Sequence, residues 1–146
     1  MSWSPKKCVV VPIDFSHSSN DAIQTALEIT QKPEDVHVIH VALLPNFVPY
    51  AGEVMQTVEP ERWLELARTH LSDYLQAHPQ FAGVCSKVLE GDAATHIAAF
   101  AAETHADLIV MPSHGYHGVK RFLLGSVTEQ VLRHSPCEVL VLHRVD

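Results

Sequence analysis

The residues best suited to chemistry lie between Asp107 and Leu142. There an apolar run, Leu108-Ile109-Val110-Met111, passes into a segment from Pro112 to Gly125, and a helix is expected from Ser126. The segment carries Gly115, Gly118 and Gly125, the histidines His114 and His117, and the pair Lys120-Arg121. Glycine lets the backbone approach an anion closely and take positive φ. A helix start adds unpaired N–H groups and roughly half a positive charge. Together these suit an anion, a nucleotide phosphate in particular, with the Ser126 and Thr128 hydroxyls as further donors. A plainer reading stays open: Gly125-Ser126 can be only a turn and a cap, and Ser126 and Glu129 have the spacing of a capping box.

The second place for chemistry is Asp14. It follows the apolar run Cys8-Val9-Val10-Val11 and the dipeptide Pro12-Ile13. In open α/β sheets, ligands sit beyond the carboxyl ends of strands, and Asp14 falls at such an end; it can equally cap a turn. Other chemistries have weaker signals. The three cysteines, Cys8, Cys85 and Cys137, share no metal-ligand or redox spacing and read as buried thiols. Of the eleven histidines, His37 and His40 point to opposite faces of one strand. His114 and His117 have no acidic or cysteine partner beside them; a histidine contacting phosphate suits the segment better than a metal site. A Ser126–His114–Asp14 triad can be drawn on paper, but the chain has no G-x-x-x-x-G-K-[ST], G-x-G-x-x-G or G-x-S-x-G pattern.

The elements that must position these residues alternate. A strand at Cys8–Val11 leads through a polar turn, with a cap at Ser18 or Ser19, to a helix carrying Ile23, Ala26, Leu27 and Thr30. A second strand, Val36 to Val41, precedes a stretch over 42–59 that holds Pro45, Pro49 and Gly52 and reads as a flexible loop or lid. Pro60 suits the first position of a helix with a stripe of Trp63, Leu64, Ala67, Leu71, Tyr74 and Leu75. A strand near Val84–Leu89 and a helix with Ile97, Phe100, Ala101 and Thr104 complete the approach to Leu108. Five strands alternating with four helices give an open parallel sheet with helices on both faces. The final run, Val139-Leu140-Val141-Leu142, is apolar for an edge strand and invites pairing with another chain. With 146 residues, 47% hydrophobic and 18% charged, one domain over 1–146 is expected. A net charge of −7 argues against a general nucleic-acid or anionic-membrane binder, and no apolar run is long enough to span a bilayer. With no signal peptide evident, a cytoplasmic protein is expected.

Residues 108–142 resemble the signature of the universal stress protein family. Its ATP-binding members carry Gly, two residues, Gly, nine residues, then Gly-Ser or Gly-Thr. Gly115 takes the second position, Tyr116 to Leu124 fill the nine, and Gly125-Ser126 follow. The first glycine is replaced by Pro112, which has no N–H. Ser-His-Gly, Leu-Leu-Gly-Ser-Val and the Pro-Cys before the last strand also match, as do Pro12-Ile13-Asp14 and Gly91 with Ile97 and Ala101. The likeness covers the chain apart from the 42–59 loop. It implies a Rossmann-like fold of the adenine nucleotide alpha hydrolase type, with strand order 3-2-1-4-5. Asp14 would then contact the nucleoside and the backbone of Val41 the adenine. The nucleotide site implied comprises Pro12, Ile13, Asp14, Val41, Met111, Pro112, His114, Gly115, Gly125, Ser126, Val127 and Thr128. A homodimer through Val139, Leu140, Val141 and Leu142 is implied as well.

Three functions are open at this stage. The first is an ATP-binding regulatory dimer in stress response, coupling nucleotide occupancy to an unidentified client, with Mg2+ or Mn2+ accompanying a triphosphate and AMP, ADP or cyclic AMP as alternative ligands. The second is an interaction protein of the same fold with a weakened or empty site, favoured by Pro112. The third is a slow ATP hydrolase that needs no dedicated base, so no catalytic residue is named.

Overall fold

Runs of apolar residues without alternation need burial on both faces, and a parallel sheet between two helical layers provides it. The computed structural model, which describes residues 5–43, 59–113 and 125–143, has this arrangement. Strand β1 is Val9–Pro12, β2 Val36–Ala42, β3 Cys85–Glu90, β4 Leu108–Pro112 and β5 Glu138–Leu142. Helix α1 is His17–Glu28, α2 Pro60–Gln76, α3 Ala93–Glu103 and α4 Ser126–His134. All pairings are parallel, in the order β3-β2-β1-β4-β5.

Alternate residues of the central strands divide between two cores. Val9, Val11, Val36, Val38, Leu108 and Val110 pack toward α1 and α2, with Ile23, Ala26 and Leu71. Val10, Ile39, Ile109 and Met111 pack toward α3 and α4, with Ile97, Phe100, Ala101 and Val131. His37 and His40 follow the same division: His37 meets Phe100 edge-on and His40 meets Phe15. Burial holds the His37 imidazole below its ordinary pKa, against the pull of Asp35.

Three local expectations need correction. The N-cap of α1 is Ser16, and Ser18 and Ser19 are already helical. Chain direction after Asp14 decides this, because Phe15 takes a left-handed φ of 67° and turns the chain into the helix early. No capping box forms on α4. Its N-cap is Gly125, and the Glu129 carboxylate pairs with Arg133 one turn on, at 2.9 Å. Cys85 is exposed rather than buried, because it opens an edge strand; Cys8 and Cys137 are half-buried, and burial raises both thiol pKa values.

Candidate functional site

With β1 central, the chain leaves β1 toward β2 and β3, then returns through α3 to β4 on the other side of β1. The connections at the carboxyl ends of β1 and β4 therefore diverge, which is where open α/β sheets form a ligand crevice. The β1–β4 register runs Val9 to Leu108 and Val10 to Ile109. Continued in step, it sets Asp14 level with Ser113.

On the β1 side the carboxylate is held from two directions. Ser16 N–H and the Ser19 hydroxyl donate to Asp14 Oδ1 at 3.1 and 3.0 Å, and Asp14 N–H donates to Ser19 Oγ at 3.1 Å. Ser19 is fully buried, so it fixes Asp14 against the start of α1. The turn is braced by Phe15, whose ring stacks on His70 at 4.1 Å and meets Tyr74 edge-on. His40 Nδ1 lies 2.9 Å from Ile13 O. The Tyr74 hydroxyl bonds Asn20 Oδ1. Burial, with a smaller effect from Asp14, pushes its phenol up to about 12, so it stays a neutral brace.

On the β4 side the start of α4 is tied to the strand end. Gly125 N–H donates to Ser113 O at 2.7 Å, and Ser113 N–H donates to Leu142 O at 3.0 Å. The Thr128 hydroxyl donates to Pro112 O at 3.0 Å and is buried. That bond engages the hydroxyl expected to reach a phosphate. Gly125 has φ −63°, so the positive φ allowed for this glycine is not used.

The other residues singled out from the sequence fall around the same strand ends. Ile13 and Met111 are buried, and Pro12, Pro112 and Val41 are half-buried at the ends of β1, β4 and β2. Ser126 and Val127 are exposed in the first turn of α4. His114 and Gly115 lie outside the described residues, as do His117, Gly118, Lys120, Arg121 and most of the 42–59 segment. Val139, Leu140, Val141 and Leu142 are half-buried in β5, at the sheet edge. Among the described residues no set of three or more His, Cys, Asp or Glu could hold a metal ion, and no helix is long and apolar enough to cross a membrane. A groove of about 630 Å³ between α2 and β3 is lined by Arg68, Leu71 and Phe81 among others and contains none of these residues.

Sequence reasoning gave two residues no role of their own. The hydroxyls of Ser16 and Ser113 are buried with no hydrogen-bond partner. An unpaired buried polar group costs about 1–3 kcal/mol. Two such groups beside one crevice fit a site that a polar ligand completes. Ser113 opens the matched Ser-His-Gly and Ser16 the polar turn before α1, but neither pattern says that the hydroxyl is buried without a partner; that comes only with the structure.

A profile of the universal stress protein family matches residues 6–143. The universal stress protein MJ0531 of Methanocaldococcus jannaschii is 32% identical over 140 residues, covering 94% of this chain and 82% of that protein. Among solved structures, hypothetical protein MJ0577 superposes with a TM-score of 0.74 at 25% identity, over 96% of this chain and 97% of the other. A universal stress protein solved in complex with cAMP shares the fold, with a TM-score of 0.63 at 22% identity over 96% and 98% of the two chains. With a profile match running from before β1 to beyond β5, and a relative 32% identical over 94% of this chain, the chain belongs to the universal stress protein family.

Proposed function

We propose that the chain binds an adenine nucleotide, ATP in first place, in the crevice between the ends of β1 and β4, and that a homodimer formed through β5 couples occupancy to a client protein. The observation that carries this reading is the Gly125 N–H to Ser113 O bond of 2.7 Å. It sets the N-terminus of α4 against the end of β4, level with Asp14 in register. An anchored carboxylate and a helix start at one strand-end crevice suit the two ends of a nucleotide: hydroxyls at the nucleoside and negative charge at the phosphates. The cAMP bound by a structural relative supports the ligand class. The nucleoside would rest on Asp14 and on the backbone near Val41, and the phosphates at Gly125, Ser126 and Val127, with His114 and Gly115 from the intervening segment. Mg2+ or Mn2+ would accompany a triphosphate and screen its charge.

Pro112 favours a second reading, an interaction protein of the same fold with a weakened site, because proline has no N–H to offer a phosphate. Denaturing the purified protein and identifying any released nucleotide by mass spectrometry, followed by calorimetric titration with ATP, ADP, AMP and cyclic AMP, separates the two. Released or titratable nucleotide is expected. A folded protein that neither retains nor binds any of the four would favour the interaction reading.

A further inference from the structure

The sheet edge opposite β5 is incompletely covered. Helix α2 has 17 residues, and of these only Leu71 is buried; α1, with 12, buries Ser18, Ser19, Ala22, Ile23 and Ala26. Strand β3 at the edge has no buried residue, whereas β4 is buried from Leu108 to Met111. A parallel strand is ordinarily covered on both faces. The groove of about 630 Å³ between α2 and β3 lies in this gap. Its floor is apolar: Leu71 and Phe81 are buried, and Leu75 and Val88 are half-buried.

Charge in the groove is of one sign. Arg68 and Lys87 line it and no Asp or Glu does, in a chain of net charge −7. Lys87 sets its ammonium over the Phe100 ring at 5.8 Å, in the core on the α3 face. Arg68 is therefore the cation left to the groove; it is exposed and makes no ion pair among the described residues. On its outer side β3 has no strand neighbour among the described residues. An edge strand presents a row of unpaired N–H and C=O groups. An extended peptide adds to such an edge through main-chain hydrogen bonds, with alternate side chains entering pockets beside the strand. A lipid chain would fill the groove but leave those backbone groups unused.

We propose that β3 and the groove beside it form a docking site for an extended segment of a partner protein. The segment adds to β3 as a strand, rests apolar side chains on Leu71, Leu75, Phe81 and Val88, and places an Asp or Glu carboxylate on the Arg68 guanidinium, a pair that matches as a two-bond fork. The proposal goes beyond the nucleotide reading and is independent of it, since the groove shares no residue with the crevice between β1 and β4.

Random ten-residue peptides displayed on phage are selected on the immobilised wild-type protein. Enriched sequences are synthesised, labelled and titrated by fluorescence polarisation against wild type and Arg68→Glu, and amide shifts of the isotope-labelled protein locate them. Alternating apolar residues with an Asp or Glu are expected, with shifts at Leu71, Phe81 and Cys85 to Val88. Arg68→Glu should weaken binding about three- to tenfold, as for a partly exposed ion pair; Arg68→Gln carries the test if circular dichroism shows the first variant misfolded. N-methylating alternate peptide amides should abolish binding in one frame and spare it in the other, because only one frame faces β3. No enrichment, shifts centred elsewhere, unchanged affinity in a folded Arg68 variant, or equal tolerance of both methylated frames overturns the proposal. So does decanoate moving the groove amides where the peptides do not, which would make this a fatty-acid site. A lower sedimentation coefficient for Arg68→Glu without peptide would give the edge to a second copy and overturn it too.

Discussion

At the amino end of the sheet, Asp107 accepts from Lys7 N–H at 3.0 Å and from Cys8 N–H at 3.1 Å, clamping the chain that leads into β1 to the start of β4. Asp107 N–H donates back to Cys8 O at 3.0 Å. At the carboxyl end of the same two strands, Asp14 and Ser113 occupy the corresponding level. There the carboxylate is held by serines of its own turn, and the hydroxyls of Ser16 and Ser113 have no partner. Similar residue types serve opposite purposes. The amino end closes its hydrogen bonds internally, as a structural joint should. The carboxyl end leaves polar groups unpaired and takes a left-handed turn at Phe15, features that cost stability and make this the candidate end for a ligand.

The largest effect expected from breaking this contrast is on binding. Gly125→Val should abolish nucleotide binding while leaving the fold intact. At φ −63° and ψ 154° the backbone suits a β-branched residue, so any loss comes from the new side chain crowding the phosphate path. Calorimetry with ATP reads the binding and circular dichroism the fold; unchanged affinity would mean that this turn does not face phosphate.

Next is the amino end. Asp107→Ala leaves two backbone donors without their acceptor, one of them half-buried, and should cost about 1–3 kcal/mol by urea unfolding. Nucleotide affinity should not change, since the clamp lies at the far end of the strands. Loss of affinity without loss of stability would erase the division between the two ends.

Smaller again is the cap of α3. Asp92 accepts from Thr95 N–H at 3.0 Å and from its hydroxyl at 2.7 Å. Asp92→Ala should cost about 0.5–2 kcal/mol, again without touching binding. Its pH dependence has a defined sign. The Thr95 side-chain and backbone bonds hold the carboxyl below its ordinary range. Its contribution is therefore complete above the unfolded-state pKa of about 3.9 and fades as pH falls through the lower folded value. Urea unfolding of wild type and variant between neutral and acid pH should show the two curves converging.

The smallest effect is at Pro112. Pro112→Gly restores a backbone donor worth about 1.5–3 kcal/mol to a charged group. It also loosens the chain at a cost of about 0.4–1 kcal/mol. Tightening of ATP binding by severalfold is expected. Equal or weaker binding would show that the position serves only to end the strand.

The sheet was legible because its strands are unbroken apolar runs and its helices carry a clear period; Val9–Val11, Val36–Val41 and Leu108–Met111 admit few other arrangements. The order of the strands came through family resemblance, since spacing alone does not say that β4 returns beside β1. Asp14 and Gly125-Ser126 were legible as residue types at element ends. The cap of α1 was not: Ser18 or Ser19 was expected, and the turn at Phe15 with the Ser19–Asp14 bond puts it at Ser16 in three dimensions. Glu129 was misread for a related reason: its i,i+4 partner Arg133 competes with the cap, and sequence offers both. Thr128 looked like a phosphate donor until the structure placed its hydroxyl on Pro112 O. The unpaired hydroxyls of Ser16 and Ser113 were not legible, because lacking a partner is a property of burial, not of spelling.

The claim that the carboxyl end of the sheet is the ligand-receiving end is tested most directly by amide chemical-shift mapping of the isotope-labelled protein during titration with ATP. The account predicts perturbations concentrated at Asp14, Ser16, Ser113 and Gly125 to Thr128, with Lys7, Cys8 and Asp107 unmoved. Saturable shifts centred instead on the α2–β3 groove near Arg68 and Phe81, or on the amino end of the sheet, would contradict it.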